Sequence, residues 1–232
     1  MPDAALVRAR LADVRNRIAR AAARAGRTPS DIRLIAVSKT FGADAVRAAA
    51  AAGQIDFGEN KVQEALGKRA DTRDLTLVWH LIGHLQSNKA KKAAAEFDVI
   101  HSVDSPDLVK ALDAAATAAG RQLTLLVQVD LAHEATKHGA REAEVLSIFE
   151  AAAACRAVRM SGLMIIPPAV GDAEDARPWF KQLRDVRDRL IAQGVERTCL
   201  TEVSMGMSHD FEVAVEEGAT MVRVGTAIFG AR

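Results

Sequence analysis

Lys39 closes an apolar run, Arg-Leu-Ile-Ala-Val-Ser-Lys-Thr over residues 33–40. An amine at the end of a buried strand can act as a nucleophile or as a cation held over a core. Leu34, Ile35, Ala36 and Val37 make the run apolar on both faces, as in a parallel strand with helices on one side and core on the other. With a period of two, Lys39 shares a face with Ile35 and Val37 and leaves the core side at the carboxyl end. The plainer reading is a lysine that only snorkels out of the strand end. Asn60, His80, His84, Asp104, Asp130, Ser204, Arg223 and Thr226 stand at or just past the ends of other strand-like runs. Arg223 shares parity with Met221 and Gly225 and should also point inward. His80 and His84 lie four apart but straddle a strand end, which speaks against a helical metal pair.

These residues need elements to position them, and the hydropathy pattern supplies a repeating set. Strands are expected at 33–40, 55–60, 77–83, 99–104, 123–130, 160–166, 198–204 and 221–225. Helices are expected between them at 44–52, 61–68, 86–96, 105–119, 141–154, 175–193 and 208–217. Ser105-Pro106 supplies an N-cap followed by proline at the first helical position, and Gly53, Gly120 and Gly194 close helices. Before the first strand, Val7, Leu11, Val14 and Ile18 form the stripe of an extra helix at 3–25, with Arg10, Arg17, Arg20 and Arg24 on a solvated face. Eight strands alternating with helices in 232 residues fit an α/β fold, a single (β/α)8 TIM barrel with an extra amino-terminal helix. An open doubly wound sheet is the alternative. No linker divides the chain, so 1–232 reads as one domain.

Composition narrows the class of function. With 31 basic and 30 acidic residues the net charge is +1, which leaves no electrostatic footprint for nucleic acid. No apolar run approaches the roughly 20 residues of a membrane span. The first ten residues lack a secretory pattern, and Cys155 and Cys199 show no CxxC or metal spacing. A soluble cytoplasmic protein with reduced, buried thiols is expected.

In a closed barrel the eighth strand pairs with the first, which makes Arg223 and Lys39 neighbours at the mouth. Two inward cations side by side need an anion, and barrel sites often bind phosphate in the loops after strands seven and eight. Ser204-Met205-Gly206-Met207-Ser208 and Gly225-Thr226 bring glycines for close backbone approach and hydroxyls as donors, although the same residues serve tight turns and helix caps. An amine facing a phosphate site suggests an aldehyde cofactor held as a Schiff base, pyridoxal phosphate.

Several motifs then coincide in order. Residues 35–40 (Ile-Ala-Val-Ser-Lys-Thr), 57–60 (Phe-Gly-Glu-Asn) with 62–64, 79–89 (Trp-His-Leu-Ile-Gly-His-Leu-Gln-Ser-Asn-Lys), 162–164 (Gly-Leu-Met), 204–208 and 222–230 resemble the pyridoxal phosphate homeostasis protein family over nearly the whole chain. That family is similar to the barrel domain of alanine racemase. The resemblance implies a cytoplasmic, mostly monomeric carrier of pyridoxal phosphate. It implies action in vitamin B6 and amino-acid homeostasis without established turnover, with pyridoxal-phosphate-requiring apo-enzymes as recipients. It further implies Lys39 as the Schiff-base lysine, Asn60 beside the cofactor and Met164 near its ring. Arg223 would face the pyridine nitrogen, and Ser204, Gly225 and Thr226 would hold the phosphate. Two departures stand out: Lys61 replaces a tyrosine common in relatives, and Ala132-His133-Glu134-Ala135-Thr136-Lys137 varies a loop that usually reads more like Asp-Glu-Ser-Lys. Lys137 could be a second amine near the mouth or a solvated loop lysine. A racemase and a barrel enzyme for a phosphorylated sugar or nucleotide are the competing functions. Racemisation needs acid/base groups on both faces of the cofactor, and alanine racemases take the second, a tyrosine, from another domain. The sequence has no tyrosine and stops at Arg232, just past the last strand, so racemase activity is not expected unless His80 or His84 substitutes.

Overall fold

The computed structural model describes residues 3–132 and 138–230. Its elements run α1 (Ala4–Arg24), β1 (Arg33–Val37), α2 (Ala43–Ala51), β2 (Asp56–Glu59), α3 (Val62–Asp71), β3 (Val78–Leu81), α4 (Ala90–Glu96) and β4 (Val99–Val103). They continue with α5 (Pro106–Ala119), β5 (Leu123–Gln128), α6 (Glu142–Ala153), β6 (Val158–Met164), α7 (Arg177–Ala192), β7 (Glu202–Ser204), α8 (Phe211–Glu216), β8 (Met221–Val224) and α9 (Thr226–Phe229). The strands close in sequence order, with β8 parallel to β1, so the sheet is a (β/α)8 barrel and not an open one.

The expected caps are present: Ser105 Oγ accepts the Leu108 N–H, and Gly120 ends α5 in the left-handed region. Several boundaries differ from expectation by a few residues, among them those of β7 and α8, and one short helix is new. Thr198 and Cys199 sit in a short 3₁₀ turn, which delays β7 to Glu202. The Asp210 carboxylate accepts the Met207 N–H at 2.6 Å, so residues 207–210 form a tight turn and α8 starts at Phe211, not Ser208. The single-turn α9 follows β8, too short for any periodicity to reveal.

The main core lies between barrel and helices, and a smaller interior layer of Ile35, Val99, Leu126, Met164 and Met221 fills the barrel. Helix α1 buries Val7, Leu11, Val14 and Ile18 as expected and packs on α2, α8 and α9. Its arginines are not all solvated. Arg17 bonds Glu212 at 2.9 Å and lies 4.6 Å from the Phe211 ring centroid, and Arg24 bonds Glu216 at 2.7 Å, both clamping α1 to α8. Cys155 and Cys199 are half-buried, where full burial was expected. Among the described residues no helix is long and apolar enough to cross a membrane.

Candidate functional site at the barrel mouth

The site begins with what holds Lys39. Strand β1 ends at Val37, and the next residue, Ser38, is buried on the helix side. Its hydroxyl donates to Glu59 Oε1 at 2.5 Å, while Lys68 of α3 donates to the same oxygen and to the Ser38 carbonyl, both at 2.6 Å. Glu59 is fully buried with Oε2 unpartnered among the described residues, and burial pushes its pKa up against the pull of Lys68 and Ser38. With Ser38 anchored outward, alternation turns Lys39 inward. On its far side Thr40 takes a left-handed φ of 68°, unusual for a β-branched residue, and its N–H is accepted by Glu64 Oε2 at 3.2 Å. Both neighbours of Lys39 are thus fixed.

Lys39, Asn60, Arg223, Gly225 and Thr226 line one cavity of about 540 Å³ at the carboxyl end of the barrel, together with His84, Gln128, His138, Ile166 and Ser208. Five of the seven sequence-derived site residues therefore meet. Gly83 allows this wall to close, since a Cβ there would lie 2.2 Å from the Asn60 carbonyl oxygen. A second cavity of about 510 Å³, lined by α6, the start of β6 and the turn after α7, lies away from the carboxyl ends of the strands.

Arg223 points inward as its parity requires and is 3% exposed. Its partners are neutral: NH1 donates to Ser204 Oγ at 2.7 Å and NH2 to the Ile165 carbonyl at 2.8 Å. Burial lowers its pKa to about 10, which still leaves it charged at neutral pH. In register Arg223 pairs with Ile35, four residues before Lys39, so the two cations share the cavity without being side by side. Ser208 Oγ accepts the N–H groups of Gly225 (3.1 Å) and Ala227 (3.4 Å), which draws the loops after β7 and β8 together.

Two expected residues do not reach the cavity. Ser204 is fully buried, and its hydroxyl is engaged by Arg223 and by His101 Nδ1 at 2.9 Å, so it lies beneath the site and is not free to bind a phosphate. Met164 belongs to the interior layer, and Ile166, two residues later on the same face, lines the wall. His80, considered as an acid/base group, is also fully buried, against His101 and Asp56. Gln128, His138 and Ser208 were not among the expected site residues. Gln128 could have been found from strand parity, and Ser208 from its motif; His138 carries no local signal. Lys137 lies outside the described residues.

His84 stacks on His138 with ring centroids 3.6 Å apart, and its Nδ1 lies 3.5 Å from Asp104. Burial, then the His138 charge, depress its pKa, and Asp104 opposes them. The folded state therefore binds this proton more weakly than the unfolded chain does. The stability contribution is full above the ordinary value of 6.5 and is lost as pH falls from there through the depressed one. Urea midpoints at about pH 7.5 and about pH 5.5 should differ less in His84→Asn than in wild type; an unchanged difference removes His84 from that loss.

Residues 10–232 match the family model described as alanine racemase, N-terminal domain. The chain is 41% identical over 223 residues to the pyridoxal phosphate homeostasis protein of Aquifex aeolicus, covering 96% of this chain and 97% of that one. It is 43% identical over 222 residues to the protein of that name from Pseudomonas aeruginosa, covering 96% and 94%. The chain belongs to the pyridoxal phosphate homeostasis protein family. Among solved structures of similar fold, PipY of Synechococcus elongatus PCC7942 with PLP bound is 43% identical, with a TM-score of 0.85 over 97% of this chain and 100% of its own. Alanine racemase of Clostridium difficile 630, at 16% identity and a TM-score of 0.71 over 56% of its own chain, shares the barrel with this homeostasis-family chain and shows the fold alone.

Proposed function

We propose that this chain holds pyridoxal 5'-phosphate at the barrel mouth as a Schiff base on Lys39. We further propose that it serves intracellular vitamin B6 and amino-acid homeostasis as a carrier without catalytic turnover. The observation that carries the reading is one cavity that joins an inward lysine to a buried arginine whose hydrogen bonds all go to neutral groups. The fit to the cofactor is chemical. An aldehyde fits the Lys39 amine, an anionic arm fits the hydroxyls of Ser208 and Thr226 beside the open Gly225 backbone, and an aromatic nitrogen fits a donor such as Arg223. Asn60 and Ile166 line the space between, with Met164 beneath them. When bound, the cofactor supplies an electrophilic carbon conjugated to a ring that can accept electrons. Arg223 keeps its protons at pH 7 and would donate to the ring nitrogen without protonating it, which weakens the ring as an electron sink and disfavours decarboxylation or transamination.

Thr226→Val tests the phosphate end. Loss of one charge-assisted donor should weaken pyridoxal phosphate binding by about 1.5 to 3 kcal/mol, roughly ten- to a hundredfold, as read by spectroscopic titration. Wild-type affinity in that variant would remove Thr226 from the site.

A racemase-like reading draws on His84, an acid/base group on the wall of the cavity that Lys39 lines. His80, fully buried, offers no such group to the cavity. With L- or D-alanine in solvent deuterium, the loaded protein should show slow Cα exchange at most, without inversion. Inversion over multiple turnovers would favour the enzyme.

A further inference from the structure

Beneath the mouth, a chain of hydrogen bonds crosses the whole barrel. Arg223 NH1 donates to Ser204 Oγ at 2.7 Å, and Ser204 Oγ lies 2.9 Å from His101 Nδ1. His101 Nε2 lies 2.9 Å from His80 Nδ1, and His80 Nε2 lies 3.0 Å from Asp56 Oδ1. Ser204, His101 and His80 are buried to 1% exposure or less. The last member, Asp56, lines a different cavity, of about 420 Å³ at the amino end of the barrel, beside Arg33 and Gln54.

The two ends of this chain fix its direction. Arginine can only donate and a carboxylate can only accept, so each neutral histidine between them receives on one nitrogen and donates from the other. That requires the Ser204 hydroxyl to donate to His101 Nδ1, the His101 Nε2–H to His80 Nδ1, and the His80 Nε2–H to Asp56. Burial, the largest cause, holds the His101 pKa well below its ordinary value, and the charges of Arg223 and Arg33 act in the same direction, consistent with a neutral ring. In the reverse assignment His101 and Arg223 would both donate to Ser204 Oγ, and the serine proton would have no acceptor in the chain.

We propose that Asp56 is a positioning residue for the cofactor site. From the far end of the barrel its carboxylate sets both histidine tautomers, and these leave Ser204 as an oriented acceptor that aims the Arg223 guanidinium into the mouth. The proposal rests on the reading of Arg223 as the group facing the cofactor ring. Partners of this indirect kind orient the groups that touch a ligand, and chains of hydrogen bonds polarise one another in a low dielectric.

Nitrogen-15 spectra of the full chain, with and without pyridoxal phosphate, test this, because they distinguish a ring N–H from a bare ring nitrogen. Wild-type His80 and His101 should both carry the proton on Nε2. Asp56→Leu should leave the His80 Nε2–H without an acceptor, populate the Nδ1–H form of both rings beside the Nε2–H form, and shift the visible band of the loaded protein. It should also weaken pyridoxal phosphate binding roughly two- to tenfold, the loss of one hydrogen bond's worth of orientation. Asp56→Asn keeps an acceptor oxygen and should retain the wild-type tautomers, band and affinity. A proton on Nδ1 of either histidine in the wild type would overturn the proposal with no variant needed. So would an Asp56→Leu protein with such mixed tautomers but wild-type affinity and band, or one whose tautomers stay as in the wild type. A wild type with the expected tautomers that takes up no pyridoxal phosphate would overturn it through the reading of the site, and is distinguishable from failure of the chain.

Discussion

A Lys39→Ala protein is expected to lose the visible absorption that the wild-type chain gives with pyridoxal phosphate, because Lys39 is the cavity's only lysine among the described residues. Binding should not vanish altogether. The phosphate-side groups and Arg223 are untouched by the substitution, so the cofactor should still associate reversibly, with the spectrum of the free aldehyde. The expected result is loss of the covalent component with retention of a weaker, dialysable one. Full wild-type absorption in this variant would assign the linkage to another amine.

The second large effect concerns stability. Lys68→Met should destabilise the fold by about 3–5 kcal/mol, because it leaves Glu59 as a buried, uncompensated carboxylate. For a chain of this size that is a fall in Tm of roughly 6–20 °C. Glu59 Oε2 already lacks a partner among the described residues, so removal of Lys68 leaves Ser38 as its one hydrogen-bond donor there. The double variant Lys68→Met, Glu59→Gln should recover most of the loss, since the charge is gone and the Ser38 hydroxyl keeps an acceptor. A single variant within about 1 kcal/mol of wild type would show the pair to be dispensable, as exposed pairs commonly are. Ser38 is tied to both residues, so the same variant should loosen Lys39 and lower cofactor affinity beyond the stability loss.

The barrel was legible in the sequence because parallel strands buried on both faces read as apolar runs, and Ser105-Pro106 with Gly53, Gly120 and Gly194 mark ends of several of the helices between them. The misplaced start of β7 has a local cause. Leu200 is buried and Cys199 packs on the core while both belong to the turn before the strand, so hydropathy alone extends the strand backward. Parity identified Lys39 and Arg223, since an inward side chain near a strand end has one place to go. The same rule could not tell a hydroxyl that faces a ligand from one already committed. Ser204 is committed because His101, inside the apolar run of β4, meets it across the barrel, a contact between residues 103 positions apart. His138 escaped for a related reason: only the folded loop brings it onto His84.

Borohydride reduction of the pyridoxal-phosphate-loaded protein followed by peptide mapping tests the Lys39 linkage itself. Reduction makes the imine permanent and marks the lysine that carries it. The label is expected on the peptide containing Lys39, in a near-stoichiometric amount; a label confined to Lys61, Lys137 or any other lysine would mean that Lys39 does not carry the cofactor.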